Sequence, residues 1–233
     1  MRSGVREGGC DRIILEFAAR LDVGLMGVYA VVTADVVRSR EHDFSLESLK
    51  ETLECFAGGL LAKPFSVSRG DELQAVLSNL EALPMLLRRL RYCVLPLRLR
   101  IGVGIGFIED SAFLKAGSSW DMSGKVFFDA RSALDGAKKS KDAQTVVVCE
   151  EENLRLFLNT VFILKDAIES DWTEKQWEAV HTYEREGTYE RAATALGVTA
   201  PNVQSHCAKA KWKAIKSVET NMSAVLRERF SDI

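Results

Sequence analysis

The stretch Leu97-Arg-Leu-Arg-Ile-Gly-Val-Gly-Ile-Gly-Phe107 alternates apolar residues first with arginine and then with glycine. Strict alternation places the large apolar side chains on one side of an extended chain, so it predicts a strand with one buried face. Gly102, Gly104 and Gly106 fall together on the other face. That face therefore either meets another backbone closely or leaves room for a ligand.

Partners for this strand lie before and after it. Val28 to Ala34 is a near-continuous apolar run, the mark of a strand buried on both faces, and it delivers Asp35 to a mouth at its C-terminal end. Phe65 to Leu77 reads as two short extended runs joined by Gly70-Asp71, a dipeptide suited to the tight turn of a hairpin. Thr145 to Cys149 is one more buried strand.

Helical spacing fills the gaps between strands. Apolar residues recur at three and four over Asp11 to Leu21. A second helix opens at Ser45 as N-cap, with the face Leu46, Leu49, Leu53, Phe56 and Leu60, and weakens at Gly58-Gly59. Asn79 to Val94 carries Leu80, Leu83, Leu86, Leu87, Leu90 and Val94 on one side and Arg88, Arg89 and Arg91 on the other, with Pro84 tolerated near its start. After a loop over residues 118–124, Lys125 to Lys138 turns Val126, Phe127, Ala130 and Leu134 inward. The resulting order, β-α-β-β-α-β, is the ferredoxin-like arrangement. Glu150 to Ile168 is then a helix too apolar for a surface linker; it packs on the first unit, on the second, or on a copy of itself.

At 233 residues the chain has room for one sizeable domain and a small one. The five cysteines include no CxxC pair, which fits free thiols of a reducing cytosol and argues against a zinc site. Residues 13–32 are apolar, but Glu16, Arg20 and Asp22 interrupt them, so the expectation is a cytoplasmic protein with no membrane segment. A net charge of -2 does not exclude nucleic acid, because a local basic face can sit on a neutral whole.

Such a face exists near the C-terminus. Trp172 to Gly187 makes one capped helix, Thr188 to Thr199 a second helix ended by Gly197, and Ala200 to Val218 a third. Small Ala192 and Ala193 stand where two helices must cross closely, the spacing of a helix-turn-helix. The third helix takes Thr199 as N-cap and turns Val203, Cys207, Ala210 and Ala214 inward, leaving Pro201, Asn202, Gln204, Ser205 and Lys209 outward. Asn and Gln can read adenine edges, and Ser, Thr and Lys can meet phosphates or bases. Between Thr199 and Val218, Lys209, Lys211, Lys213 and Lys216 occur without an acid. Either this stripe contacts DNA, or the segment is a packing or dimerisation module whose lysines face water. His206 reads as a surface or phosphate contact, since His42 and His181 show no ligand spacing to it.

The C-terminal pattern Trp172-Thr173, Gln176, Ala192-Ala193, Leu196-Gly197-Val198-Thr199, Val203, Cys207 and Ala210 resembles the fourth region of bacterial sigma factors. Asp35, Gly70-Asp71 and the glycine-bearing strand resemble the palm of class III nucleotidyl cyclases and their diguanylate-cyclase relatives. Together with the loop Asp35-Val-Val-Arg-Ser-Arg40, the whole resembles the SatD family of bacterial proteins. The cyclase resemblance implies that Asp35 and Asp71 hold Mg2+, that Arg131 is the helical arginine of catalysis, and that Val36, Val37, Arg38, Ser39 and Gly70 face a nucleoside triphosphate or other nucleotide. Phe127 stands where the cyclases have Asn, and Val67 where a base-reading Lys precedes the Gly-Asp, so the resemblance implies a degenerate site.

The expected fold class is α+β. Residues 1–26 form an extension with a short helix, 27–150 a ferredoxin-like, cyclase-like domain, 151–170 a connecting helix, and 171–233 an all-α helix-turn-helix domain. The expected function is a homodimeric transcriptional regulator that binds double-stranded DNA, with lysines such as Lys209 and Lys213 on phosphates and a degenerate domain that senses a nucleotide. Two alternatives stay open: a Mg2+-dependent nucleotidyl cyclase or related phosphoryl-transfer enzyme, and a protein-interaction adaptor.

Overall fold

Strand β1 (Met26–Val37) lies at the centre of a five-stranded sheet. A computed structural model describes residues 26–37, 59–68, 72–141 and 144–230. The remaining strands are β2 (Leu61–Ser68), β3 (Glu72–Leu77), β4 (Arg98–Glu109) and β5 (Thr145–Cys149), in the order β2-β3-β1-β4-β5. β1 pairs antiparallel with β3 and β4, β2 antiparallel with β3, and β4 parallel with β5. Helix α1 (Leu83–Cys93) lies between β3 and β4, and α2 (Asp110–Lys115) and α3 (Lys125–Lys139) between β4 and β5. After the sheet come α4 (Glu152–Ser170), α5 (Glu174–Glu186), α6 (Tyr189–Leu196), α7 (Ala200–Lys209) and α8 (Trp212–Phe230). The chain is an α+β protein, a sheet followed by helices. The expected helices over 11–21 and from Ser45, and the Gly70-Asp71 tip, lie outside the described residues.

The glycines of β4 meet a backbone. A Cβ on Gly102 would stand 2.2 Å from the Leu134 nitrogen, and one on Gly104 2.2 Å from the Val126 carbonyl oxygen. Helix α3 therefore lies directly on the strand, and β4 is buried on both faces where alternation alone predicted one. On its other face Leu99, Ile101, Val103 and Ile105 join Ala30, Val32, Ala34 and Val36 of β1 in the main core, under α1, α4 and the C-terminal half of α8. Met222 and Leu226 of α8 belong to that core, so the last helix returns to the sheet.

Leu80, Leu83, Leu86, Leu87, Leu90 and Val94 are all buried, as their spacing predicts. The arginines beside them are not arranged as expected. Arg88 is 0 % and Arg91 6 % exposed, because carboxylates from later helices fold over them. Arg88 donates to both oxygens of Glu219, at 2.8 and 3.0 Å, and to Glu184 at 2.8 Å. Arg91 donates to Glu169 at 2.7 Å and to Asp166, while Lys165 pairs with Glu169 at 2.5 Å and Glu219 at 3.2 Å. Leaving any one of these charges unpaired would be strongly unfavourable, so the network fixes how the C-terminal helices sit on α1.

The sheet's two edges are closed differently. On β2, Pro64 and two register irregularities break up the free edge. On β5, Asn159 of α4 pairs with Val147 as a strand would: its side-chain oxygen accepts from the Val147 nitrogen at 2.9 Å and its amide donates to the Val147 oxygen at 2.8 Å.

Candidate functional site

Two groups of residues carry the sequence expectations, one at the C-terminal end of β1 and one on α7. At the first, β1 does not end at Asp35. Val36 and Val37 pair with Leu99 and Arg98, and Val36 is buried, so the loop expected from Asp35 starts later. Arg38, Ser39, Gly70 and Asp71 lie outside the described residues.

Asp35 stands across the strands from Glu72. Helix α3 lowers two cations onto these acids, since positions 131 and 138 share a face. Lys138 Nζ is 3.0 Å from Asp35 Oδ1 and 3.4 Å from Glu72 Oε1, and Arg131 donates to Glu72 Oε2 at 2.6 Å. Burial pushes the Glu72 carboxyl up, but the Arg131 hydrogen bond and charge, with help from Lys138, hold it below the usual carboxylate range. Glu72 and Lys138 were missed in the sequence, although an acid directly after Asp71 and a lysine two turns beyond Arg131 were visible signals. Phe127, at the cyclase asparagine position, is buried under the sheet.

Among the described residues no group of three or more His, Cys, Asp or Glu could hold a metal ion. The two acids present are already neutralised by cations of the same chain. The described residues thus do not make up a magnesium site by themselves.

The second group is assembled by helix ends. Thr173 and Gln176 cap α5 reciprocally, at 3.3 and 2.8 Å, and α5 and α6 end on Gly187 and Gly197 in the left-handed conformation. Buried Ala192 and Ala193 let α6 pack on its neighbours, and Val203, Cys207 and Ala210 anchor α7 beneath them. Thr199 is the N-cap of α7 by position, with Pro201 in the first turn. Pro201, Asn202, Gln204, Ser205 and Lys209 are all exposed on α7, and Lys213 is exposed in the first turn of α8.

One expectation fails here. Ala200 to Val218 is not a single helix: Lys211, at φ 54, breaks it. The break resets the rotation, so Trp212 and Ile215 continue the buried line and Ala214 is exposed. Trp212 lies beneath Arg88, whose guanidinium carbon is 4.6 Å from the ring centroid. His181 of α5 is stacked on Tyr92, with centroids 4.1 Å apart, and shares a 3.2 Å hydrogen bond with Arg88. Burial first, then the neighbouring guanidinium charges, pushes its pKa down to about 2.

Sheet and helices together define an α+β protein whose C-terminal helical array, with an exposed polar and basic helix, is joined to α1 through buried ion pairs. A sequence model of the SatD family matches residues 29–223. That span is most of the 233 residues, and the chain belongs to the SatD family. No curated protein matches the chain, and no solved structure matches it. No helix among the described residues is long and apolar enough to cross a membrane.

Proposed function

We propose that this chain is a DNA-binding transcriptional regulator, with α5 to α8 acting as a helix-turn-helix of the sigma region 4 kind and α7 as its reading helix. One observation carries this reading: the base-competent side chains Asn202, Gln204 and Ser205 and the phosphate-competent Lys209 and Lys213 are all exposed, in a stretch that carries no acid from Thr199 to Val218, while Val203 and Cys207 hold α7 from below. In the major groove, Asn and Gln would read base edges and the lysines would set register on phosphates.

The strand order β2-β3-β1-β4, with β5 beside β4, supports the ferredoxin-like, cyclase-like reading of this part. Its acids being paired with Arg131 and Lys138 supports a degenerate rather than a catalytic role. A nucleotide, with or without Mg2+, is the ligand of this reading. We take the working form to be a homodimer, which suits a helix-turn-helix reading two half-sites.

The test is binding of the full-length protein to labelled duplex DNA across a salt series, with and without Mg2+ and GTP or ATP. Steep weakening with salt supports the regulator, and a shift with nucleotide supports the sensor. Absence of DNA binding under every condition sinks the reading.

A further inference from the structure

Helix α4 is built inside out. Lys165, Asp166 and Glu169 are buried against α1, whereas beyond Glu152 the exposed positions of the helix are uncharged, with Arg155, its side chain 43 % exposed, beside them. Asn153, Leu156, Thr160, Ile163 and Ala167 follow one another at intervals of three and four along this face, the spacing by which one helix seats on another. Leu164 and Phe157 flank that seam. Leu164 is 63 % exposed, Leu156 56 %, Ile163 40 % and Phe157 37 %, which is unusual for four large apolar side chains on one helix.

Other occupants fit less well. Strand pairing is closed off at β5, because Asn159 already fills the Val147 positions. Helices that lie on lipid carry cations along their polar border, but Lys165 is buried and Arg155 leans toward Glu152 at 3.7 Å.

We propose that a second copy of this chain covers α4, the two helices crossing antiparallel about a two-fold axis at Thr160. A two-fold interface needs a patch complementary to itself. Reversing the helix about Thr160 sets Leu156 against Leu164, Phe157 against Ile163 and Asn153 against Ala167; of the cations that the same reversal pairs, Arg155 and Lys165, Lys165 is buried away from the seam. The seam alone is smaller than the roughly 800 Å² per partner of a standard interface. The groove between α4 and α8, lined by Phe157 and Val225 together with Glu151, Glu228 and Arg229, widens it. The proposal deepens the dimeric part of the reading above, but its test needs no DNA, so the two fail separately.

Sedimentation equilibrium of the full-length chain over a concentration series tests it. The expected mass rises toward twice 25.9 kDa. Leu156→Glu with Leu164→Glu should weaken association by roughly 30-fold or more, the scale of losing an interface hot spot, with the far-UV circular dichroism unchanged. Thr160→Lys sets two ammonium groups against each other on the axis and should act likewise from an exposed position with little packing to lose. Leu114→Glu, at a 90 % exposed site on α2, should leave the dimer intact. A parent chain of single mass at every concentration, or a dimer indifferent to the α4 substitutions, overturns the proposal.

Discussion

Arg88 of α1 and Glu219 of α8, 131 residues apart in the chain, face each other through two hydrogen bonds of 2.8 and 3.0 Å in the interior. Neither is free to turn to water, for Arg88 is fully buried and Glu219 nearly so. Removing Glu219 leaves Arg88 with Glu184 and Lys165 with Glu169, so the buried cations lose part of their compensation; breaking a buried pair typically costs about 3–5 kcal/mol. Glu219→Ala should therefore lower the stability read from urea denaturation by that order. Replacing Arg88 and Glu219 together with apolar residues of similar size should cost much less. Equal losses in the single and double variants would contradict the pairing.

Acid sensitivity should concentrate at His181. Its folded pKa, about 2, lies far below the ordinary value, so between the two only the unfolded chain takes up the proton. The stability held above the ordinary value of about 6.5 is lost as pH falls, at about 1.4 kcal/mol per pH unit. His181→Gln keeps an acceptor for Arg88 and should flatten this slope. Denaturation midpoints of parent and variant at neutral pH and near pH 5, the latter about 1.5 units below the ordinary value, measure the difference. Parallel slopes would rule out the neutral, buried imidazole.

The glycine face of β4 permits a paired comparison. A Cβ at Gly104 meets the Val126 carbonyl oxygen at 2.2 Å and the Ala130 nitrogen at 2.8 Å, both backbone atoms that cannot rotate aside. Gly104→Ala should cost about 3 kcal/mol or more, the upper range for overpacking. Gly136, in α3, has nothing nearer than a Val146 methyl at 3.8 Å. There alanine should stabilise by about 0.5–1 kcal/mol, as in other helix interiors. Melting curves of the two variants should move in opposite directions.

If α7 reads DNA, its side chains divide by role. Lys209→Ala or Lys213→Ala should weaken binding evenly across sequences and reduce the salt slope by about 1 each. Gln204→Ala should instead relax preference at one base pair, by about 1–3 kcal/mol. Selection from randomised duplexes, followed by salt titration, separates the two behaviours. Identical effects from all three would favour a protein partner for this face.

What could be seen in the sequence was local. The leucine face from Leu80 to Val94, the α3 face and the glycine alternation of β4 each follow from a period that a single element carries within itself. The glycines told that something would come close, and the structure supplies α3. Arg88 and Arg91 were misplaced for the opposite reason. A charged residue is buried only where its partners arrive, and these arrive from Asp166 and Glu219, far along the chain. The break at Lys211 is hidden because a left-handed residue other than glycine leaves little local trace, so unbroken helical spacing predicts Ala214 inward where it is exposed. At the acid cluster Asp35 was visible, but Lys138 acquires its meaning only once α3 lies across the sheet.

Asn159 has a bearing on how the chain is made. A ribosome releases β5 before α4, and until α4 docks, the last strand offers Val147 to any neighbour with a free edge. The amide that satisfies Val147 comes 12 residues later, so it acts as a counterfeit strand fitted by the next element to emerge. The hazardous interval in synthesis is thus short, and it closes from within the same chain. A nascent chain halted between Cys149 and Asn159 would be the form most prone to zip onto others.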